Sequence, residues 1–481
     1  MSILPTDRAP VQPMLQAVLS VEPGADEVLF LPLGGTGEIG MNLNLYGHDG
    51  RWLIVDIGIT FGGDDFPEHD VLMADPAFIV SRRQRLAGIV LTHAHEDHVG
   101  AVAYLWKRLK CPVYATPFTA AVARWKLARA GLDAVPVHEV PLGARFEVGP
   151  FGVEYVGMTH SIPEPNALLL TTPAGAVFHT GDWKLDERPV VGRSYDAERL
   201  RGLRSEPLLA MVCDSTNAVV PGSTGSEGSL FAPLLELVQA AGGRVVVTSF
   251  ASNVARLVTL ARVAEASGRR FGVIGQAMER MVAVARATGY WPADLPALVD
   301  ARHLGYLPPV EVLAACTGSQ GEPSAALTRM AADSHRDILL DPTDTVIFSS
   351  KLIPGNERPV AAVHSRLRAL GVEVVTDADA HVHVSGHPAV EDLKRLYDWV
   401  QPPAVVPTHG TPRHLRANAE IALGCHVPRV AVIGNGDVCR LSAAGPEVLG
   451  RVPTGRLALA PSGQLAPVSA PVLAAMRAAV G

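Results

Sequence analysis

The sequence predicts an α/β protein of more than one domain, on three observations. Its 481 residues are too many for one ordinary domain. Short aliphatic runs that end in glycine or a polar turn alternate with helical stretches along most of the chain. Near residue 207 the alternation changes style, toward regular strands separated by longer helices.

Taken in order, residues 1–27 are Pro-rich and aperiodic and read as a flexible tail. From "EVLFLPLGG" onward the segments "WLIVDIG", "GIVLTHA", "PVYAT", "FGVEYVGMTH", "ALLLTTP" and "AVFHTGD" have strand composition. "HVGAVAYLWKRL" and "PFTAAVARWKLARAG" read as helices, the second stopped by Gly131. "PLLAMV" opens the second series, in which "GGRVVVTSF" leads into "ASNVARLVTLARVAEASG" and "RRFGVIG" into "QAMERMVAVARATG". That order predicts a parallel sheet, continued by "DTVIFSS" and "GVEVVTD". "AVVPTHG" and "RVAVIGNGD" return to the shorter strands, and the chain after residue 442 is weakly patterned.

Composition narrows the class. A hydrophobic fraction of 48% with 19% charged residues fits a globular protein with a large core, built mostly from Ala, Val and Leu because aromatics are 5%. A net charge of -7 excludes coating nucleic acid by bulk charge, though not a local basic cleft. Five scattered cysteines without a C-x-x-C pair fit reduced thiols and a cytoplasmic location. No secretory leader and no apolar run of membrane length is expected.

The stretch "LTHAHEDHVG" places His93, His95, Asp97 and His98 at the end of an aliphatic strand. Burying so many polar groups costs free energy unless each is partnered, and imidazole with carboxylate is a ligand set for zinc or manganese. One cluster cannot complete two metal shells. His160, Asp182 and His409 each follow another strand-like segment, and the set of seven suffices for two metals sharing one carboxylate. Singly, each has a plainer reading as a hydrogen-bonded histidine or a turn-forming aspartate. Asp56, after "LIV", is expected to accept a hydrogen bond from a ligand histidine and fix its ring.

These segments, with "LPLGGTGEIGMNLNLY", "VDIGITFG", "THSIPEPNA", "HTGDWKLD", "CDSTNA", "TSFASNVARL", "TGSQGEP", "SSKLIPGNE", "HVSGH" and "PTHGTPRHL", resemble the ribonuclease J branch of the β-CASP nucleases from about residue 28 to 440. The resemblance implies a metallo-β-lactamase αββα sandwich over 28–210 and 386–442, an inserted α/β β-CASP domain over 211–385, and a short segment 443–481 in place of the family's C-terminal domain. It implies that His93, His95 and His160 hold one divalent ion, Asp97, His98 and His409 the other, and Asp182 bridges them. His387 is then the general acid, oriented by Asp214, and Asp97 is catalytic through its ion. His383, Ser385, Gly386, His387 and Ser252 would line a phosphate subsite. A histidine at position 409 is typical of members acting on RNA.

The implied function is exo- and endonucleolytic hydrolysis of single-stranded RNA with a 5′-monophosphate end, in RNA processing and decay. The implied cofactors are two zinc or manganese ions. Two departures stand out: Thr411 where the family has glutamate, and Glu164 where aspartate is usual. The family commonly dimerises, and the short C-terminus is expected to weaken a homodimer. The alternative is a metallo-β-lactamase-fold hydrolase of a small ester, thioester or lactone, which would not need so large an insertion.

Overall fold

The structure is a computed structural model that describes residues 21–62, 66, 68–353, 355–460 and 462–468. Two sheets lie face to face. The first has eight strands in the order 445–451, 437–442, 28–34, 43–48, 51–55, 86–90, 113–115 and 137–139. The second has six, in the order 405–408, 208–214, 175–179, 166–172, 151–157 and 145–148. Side chains in a strand alternate between faces. Phe30, Tyr46, Leu53 and Val90 accordingly meet Tyr155, Leu168, Val177 and Val212 between the sheets.

The opposite faces are covered by helices. Leu29, Leu31, Ile54 and Ile89 pack on helices Val102–Leu109 and Pro117–Arg129. Leu169, Phe178 and Met211 pack under helix Val390–Val400. The result is an αββα sandwich.

Between Asp214 and Val390 the chain builds a separate, all-parallel five-stranded sheet, in the order 270–274, 312–316, 245–248, 345–348 and 373–375. Its strands read Val-Val-Val and Leu-Ala-Ala because helices cover both faces.

Several local expectations differ. Residues 211–214, assigned from sequence to the insertion, lie in the sandwich, where Met211 to Asp214 pair in parallel with Val405 to Thr408. The expected tail divides. Residues 1–20 lie outside the described residues, whereas the Pro23 and Gly24 carbonyls accept from Gly50 N and Asp49 N at 2.8 and 2.9 Å. The unpatterned end supplies strands Gly445–Arg451 and Arg456–Leu459, the latter pairing with Val71–Ala74. Conversely, "RVAVIG" makes only a single bridge, Val430 to Val405.

Candidate metal centre

Each candidate ligand follows the carboxyl end of a strand. His93 to His98 follow Leu86–Val90, His160 follows Phe151–Gly157, Asp182 follows Gly175–His179 and His409 follows Val405–Thr408. The short helix Glu96–Val99, which carries Asp97 and His98 and has His95 at its N-cap, is clamped by backbone. Asn42 N and Nδ2 donate to the Asp97 carbonyl at 3.0 and 3.1 Å, and Ile57 N donates to the His98 carbonyl at 2.7 Å. A Cβ on Gly58 would sit 1.7 Å from the Asp97 carbonyl oxygen, so only glycine admits this approach.

The side chains converge as two sets sharing Asp182. One ligand atom from each of His93, His95, His160 and Asp182 lies within 4.8 Å of the others, as does one from each of Asp97, His98, Asp182 and His409. His95 Nδ1 is 3.2 Å from His93 Nε2 and 2.9 Å from His160 Nε2. One ring nitrogen carries at most one proton and cannot bond both neighbours, whereas a cation satisfies all three lone pairs. A tetrahedral ion with bonds of about 2.0–2.1 Å places its donors about 3.3 Å apart, close to these spacings. In the second set, His98 Nε2 is 3.1 Å from Asp182 Oδ2, and His409 Nε2 is 3.2 Å from Asp97 Oδ2. The residues fit a pair of divalent ions.

Neighbouring groups fix the rings. Asp56, at φ 63°, accepts from Thr92 N and Thr92 Oγ1 at 2.8 Å each and bonds His98 Nδ1 at 2.7 Å. Thr92 Oγ1 in turn contacts His93 Nδ1 at 3.0 Å, so one carboxylate underlies both sets. His160 Nδ1 donates to the Gly386 carbonyl at 2.6 Å. His409, also left-handed at φ 50°, meets Thr216 Oγ1 through Nδ1 at 2.7 Å.

Beside the cluster, His387 Nδ1 bonds Asp214 Oδ2 at 2.8 Å. Those two residues form a third converging set with Asp182 and His409. Ser385 Oγ is engaged already, accepting from Asn217 Nδ2 of a distant segment at 2.7 Å and from His387 N of its own loop at 3.2 Å. His383 stands apart, with Nδ1 buried and without a hydrogen-bond partner. Ser252 lies in the turn before helix Val254–Ser267 and makes none of the cluster's contacts.

Electrostatics suit cation binding. Burial, reinforced by neighbouring imidazoles, pushes His93 and His160 well below the usual histidine range. Burial pushes His95 down to about 4. These three rings are therefore neutral, the form in which an imidazole can bind a metal. For Asp97, Asp182 and Asp214 burial opposes ionisation, but the surrounding histidines outweigh it and keep all three charged. Burial likewise opposes charge on His98, His409 and His387, and the aspartates prevail, raising all three and carrying His409 up to about 10; a cation held by His98 and His409 would displace their protons.

Sequence reasoning missed Thr216, Asn217 and Asn42, which hold the rings and loops through contacts between distant segments. The two departures are also placed. Glu164 Oε2 reaches Phe118 N at 2.8 Å, and Thr411 precedes helix Pro412–Gly424 without capping it through its side chain.

A sandwich with histidines and aspartates gathered at its strand ends, interrupted by a parallel α/β insertion, defines a metallo-β-lactamase-fold hydrolase of the β-CASP type. Residues 40–203 match the metallo-beta-lactamase superfamily, 242–367 the beta-CASP domain of ribonuclease J, and 371–425 the RNA specificity domain of zinc-dependent metallo-hydrolases. Ribonuclease J of Sinorhizobium meliloti is 44% identical over 90% of this chain and 77% of its own length. That of Mycolicibacterium smegmatis is 42% identical over 88% and 76%, and ribonuclease J 1 of Streptococcus pyogenes 35% over 90% and 77%. This chain belongs to the ribonuclease J family. A solved Enterococcus faecalis protein of unknown function shares the fold at a TM-score of 0.56 and 16% identity, over 86% of this chain and 100% of that one.

Proposed function

We propose that this protein is a metal-dependent ribonuclease that cuts single-stranded RNA internally and degrades it 5′-to-3′ from a monophosphorylated end. The observation that carries this is the Asp214–His387 pair, 2.8 Å apart, set beside seven converging ligands. His93, His95 and His160 would hold one ion, Asp97, His98 and His409 the other, and Asp182 both. Bound there, two divalent ions lower the pKa of water and stabilise charge developing on a phosphate during in-line attack.

This chain's own groups do the rest. Asp214 accepts the Nδ1 proton of His387, keeps the ring charged and leaves Nε2 to protonate the oxygen that departs from phosphorus. Thr216 donates to Asp214 at 2.7 Å and contacts His409, so the acid and a metal ligand share one support. We favour zinc over manganese because five of the seven donors are imidazoles.

A 5′-phosphate is best accommodated beside His383. Its buried Nδ1 lacks a partner, and the ring lies close enough to Arg256, Lys351 and Lys184 to feel their charge. The same reading includes a homodimer and a cytoplasmic location; five free cysteines suit a reducing compartment. Among the described residues no helix is long and apolar enough to cross a membrane.

The test compares metal-replete wild type and Asp97→Ala on RNA and on a model thioester. RNA cleavage that Asp97→Ala abolishes supports the ribonuclease. Thioester turnover without RNA cleavage would replace it with the small-molecule reading.

A further inference from the structure

One wall beside the cluster gathers cations around an aromatic ring. Helix Pro117–Arg129 of the sandwich packs against helix Gln276–Ala287 of the insertion, and just beyond the latter Tyr290 meets Phe118 edge-on at 5.9 Å. Farther along, the Arg280 guanidinium lies 3.3 Å from the centre of the Trp125 ring, with Arg129 at 5.2 Å. Lys126 Nζ lies 2.6 Å from both carboxylate oxygens of Glu96, the residue between His95 and Asp97, so this wall adjoins the ligand loop.

Lys126 is thereby neutralised, as Arg124 is by Glu139 at 2.8 Å. Among the described residues neither Arg129 nor Arg280 has an ion pair; Arg129 acts on Arg280 as a like charge, and Glu279 and Glu96 act on it as weaker opposite ones. Tyr104, 37% exposed, stands close enough to Glu96 and Arg129 to feel both. Two guanidiniums gathered on one indole repel, an arrangement that an anion relieves. In a chain of net charge -7 this is a local basic surface, and it interleaves cations with aromatic rings. Single-stranded nucleic acid is bound by that combination, phosphates on the cations and bases stacked on the rings.

We propose that Tyr104, Trp125, Arg129 and Arg280 form a track for the body of a single-stranded RNA, spanning both domains beside the metal centre. The proposal rests on the ribonuclease reading and adds where the rest of the strand lies. An RNA too short to leave the cluster does not engage the track, so its contribution grows with length.

The test measures KM for a 5′-monophosphorylated trinucleotide and for an RNA of about 24 nucleotides, longer than one site of roughly 4–16 nucleotides. It uses wild type, Arg129→Ala, Arg129→Glu and Arg280→Ala, with Arg366→Ala, exposed on helix Glu357–Ala369 at the opposite edge of the insertion's sheet, as control. The track variants should raise KM for the long RNA about five-fold or more, with a much smaller rise for the trinucleotide. Each lost phosphate contact should also reduce the salt slope of binding by about 0.7. Equal losses at both lengths, as from a loosened domain contact, would overturn the track, as would no loss at either. Wild type that cleaves neither RNA would instead remove the ribonuclease reading itself.

Discussion

At the scale of single residues, the site is held by groups that never meet in the sequence. Gly386 shows the logic. Its carbonyl orients His160, and a Cβ there would lie 2.4 Å from His160 Cε1. Gly386→Ala should therefore weaken metal binding about 10–100-fold, read by competition with a chelator. Asp97→Ala should cost at least about a thousand-fold in kcat while the fold, read by circular dichroism, is kept. His387→Ala should lower kcat by about 10²–10⁴-fold, with metal content unchanged, because its role is proton transfer. A fall in metal content would make it a ligand instead, the role open to it in the third converging set. The converging histidines and aspartates were legible because each belongs to a polar segment that follows an apolar strand. Thr216 and Asn217 were not, since hydroxyls and amides in a turn carry no such contrast until the fold places His409 and Ser385 beside them.

At the scale of elements, two ion-pair systems tie helices to sheets. Arg256, fully buried on helix Val254–Ser267, bonds Glu227 Oε1 at 2.5 Å and the Ser349 carbonyl at 2.6 Å. Arg256→Ala strands the buried Glu227 charge and should cost about 3–5 kcal/mol in urea denaturation; removing Glu227 as well should recover part of it. Glu154 bonds Arg199 at 2.6 Å and Arg145 at 3.0 Å. Burial works against its ionisation, but the two arginines hold its carboxyl below the usual carboxylate range. A depressed folded pKa gives stability above the unfolded value that is lost as pH falls through the folded one. Glu154→Gln should flatten that acid limb and leave the neutral plateau lower. The period-2 strands and long helices could be read from sequence because their pattern is local. Strand Arg456–Leu459 could not, because its partner Val71–Ala74 lies far away in the chain and sets its register.

At the scale of the whole molecule, the sandwich and the insertion meet at one centre. The sandwich supplies the seven candidate ligands and Asp214, while the segment returning from the insertion supplies His387 and the carbonyl that orients His160. That division explains why the change of pattern near residue 207 was informative although the boundary was misplaced: strand Leu208–Asp214 has the aliphatic look of the insertion's strands, yet it is buried between parallel neighbours of the sandwich. On the proposed ribonuclease reading, Asp214 and His387, which come from either side of the excursion, would act together on a substrate lying where the two domains meet. The most direct measurement incubates the metal-replete protein with one single-stranded RNA in 5′-monophosphate and 5′-triphosphate forms and resolves the products by length. Mononucleotides accumulating from the monophosphate form, with the triphosphate form cut only internally, is the expected result. Equal mononucleotide release from both forms would contradict end recognition beside His383, and no cleavage of either would contradict the ribonuclease.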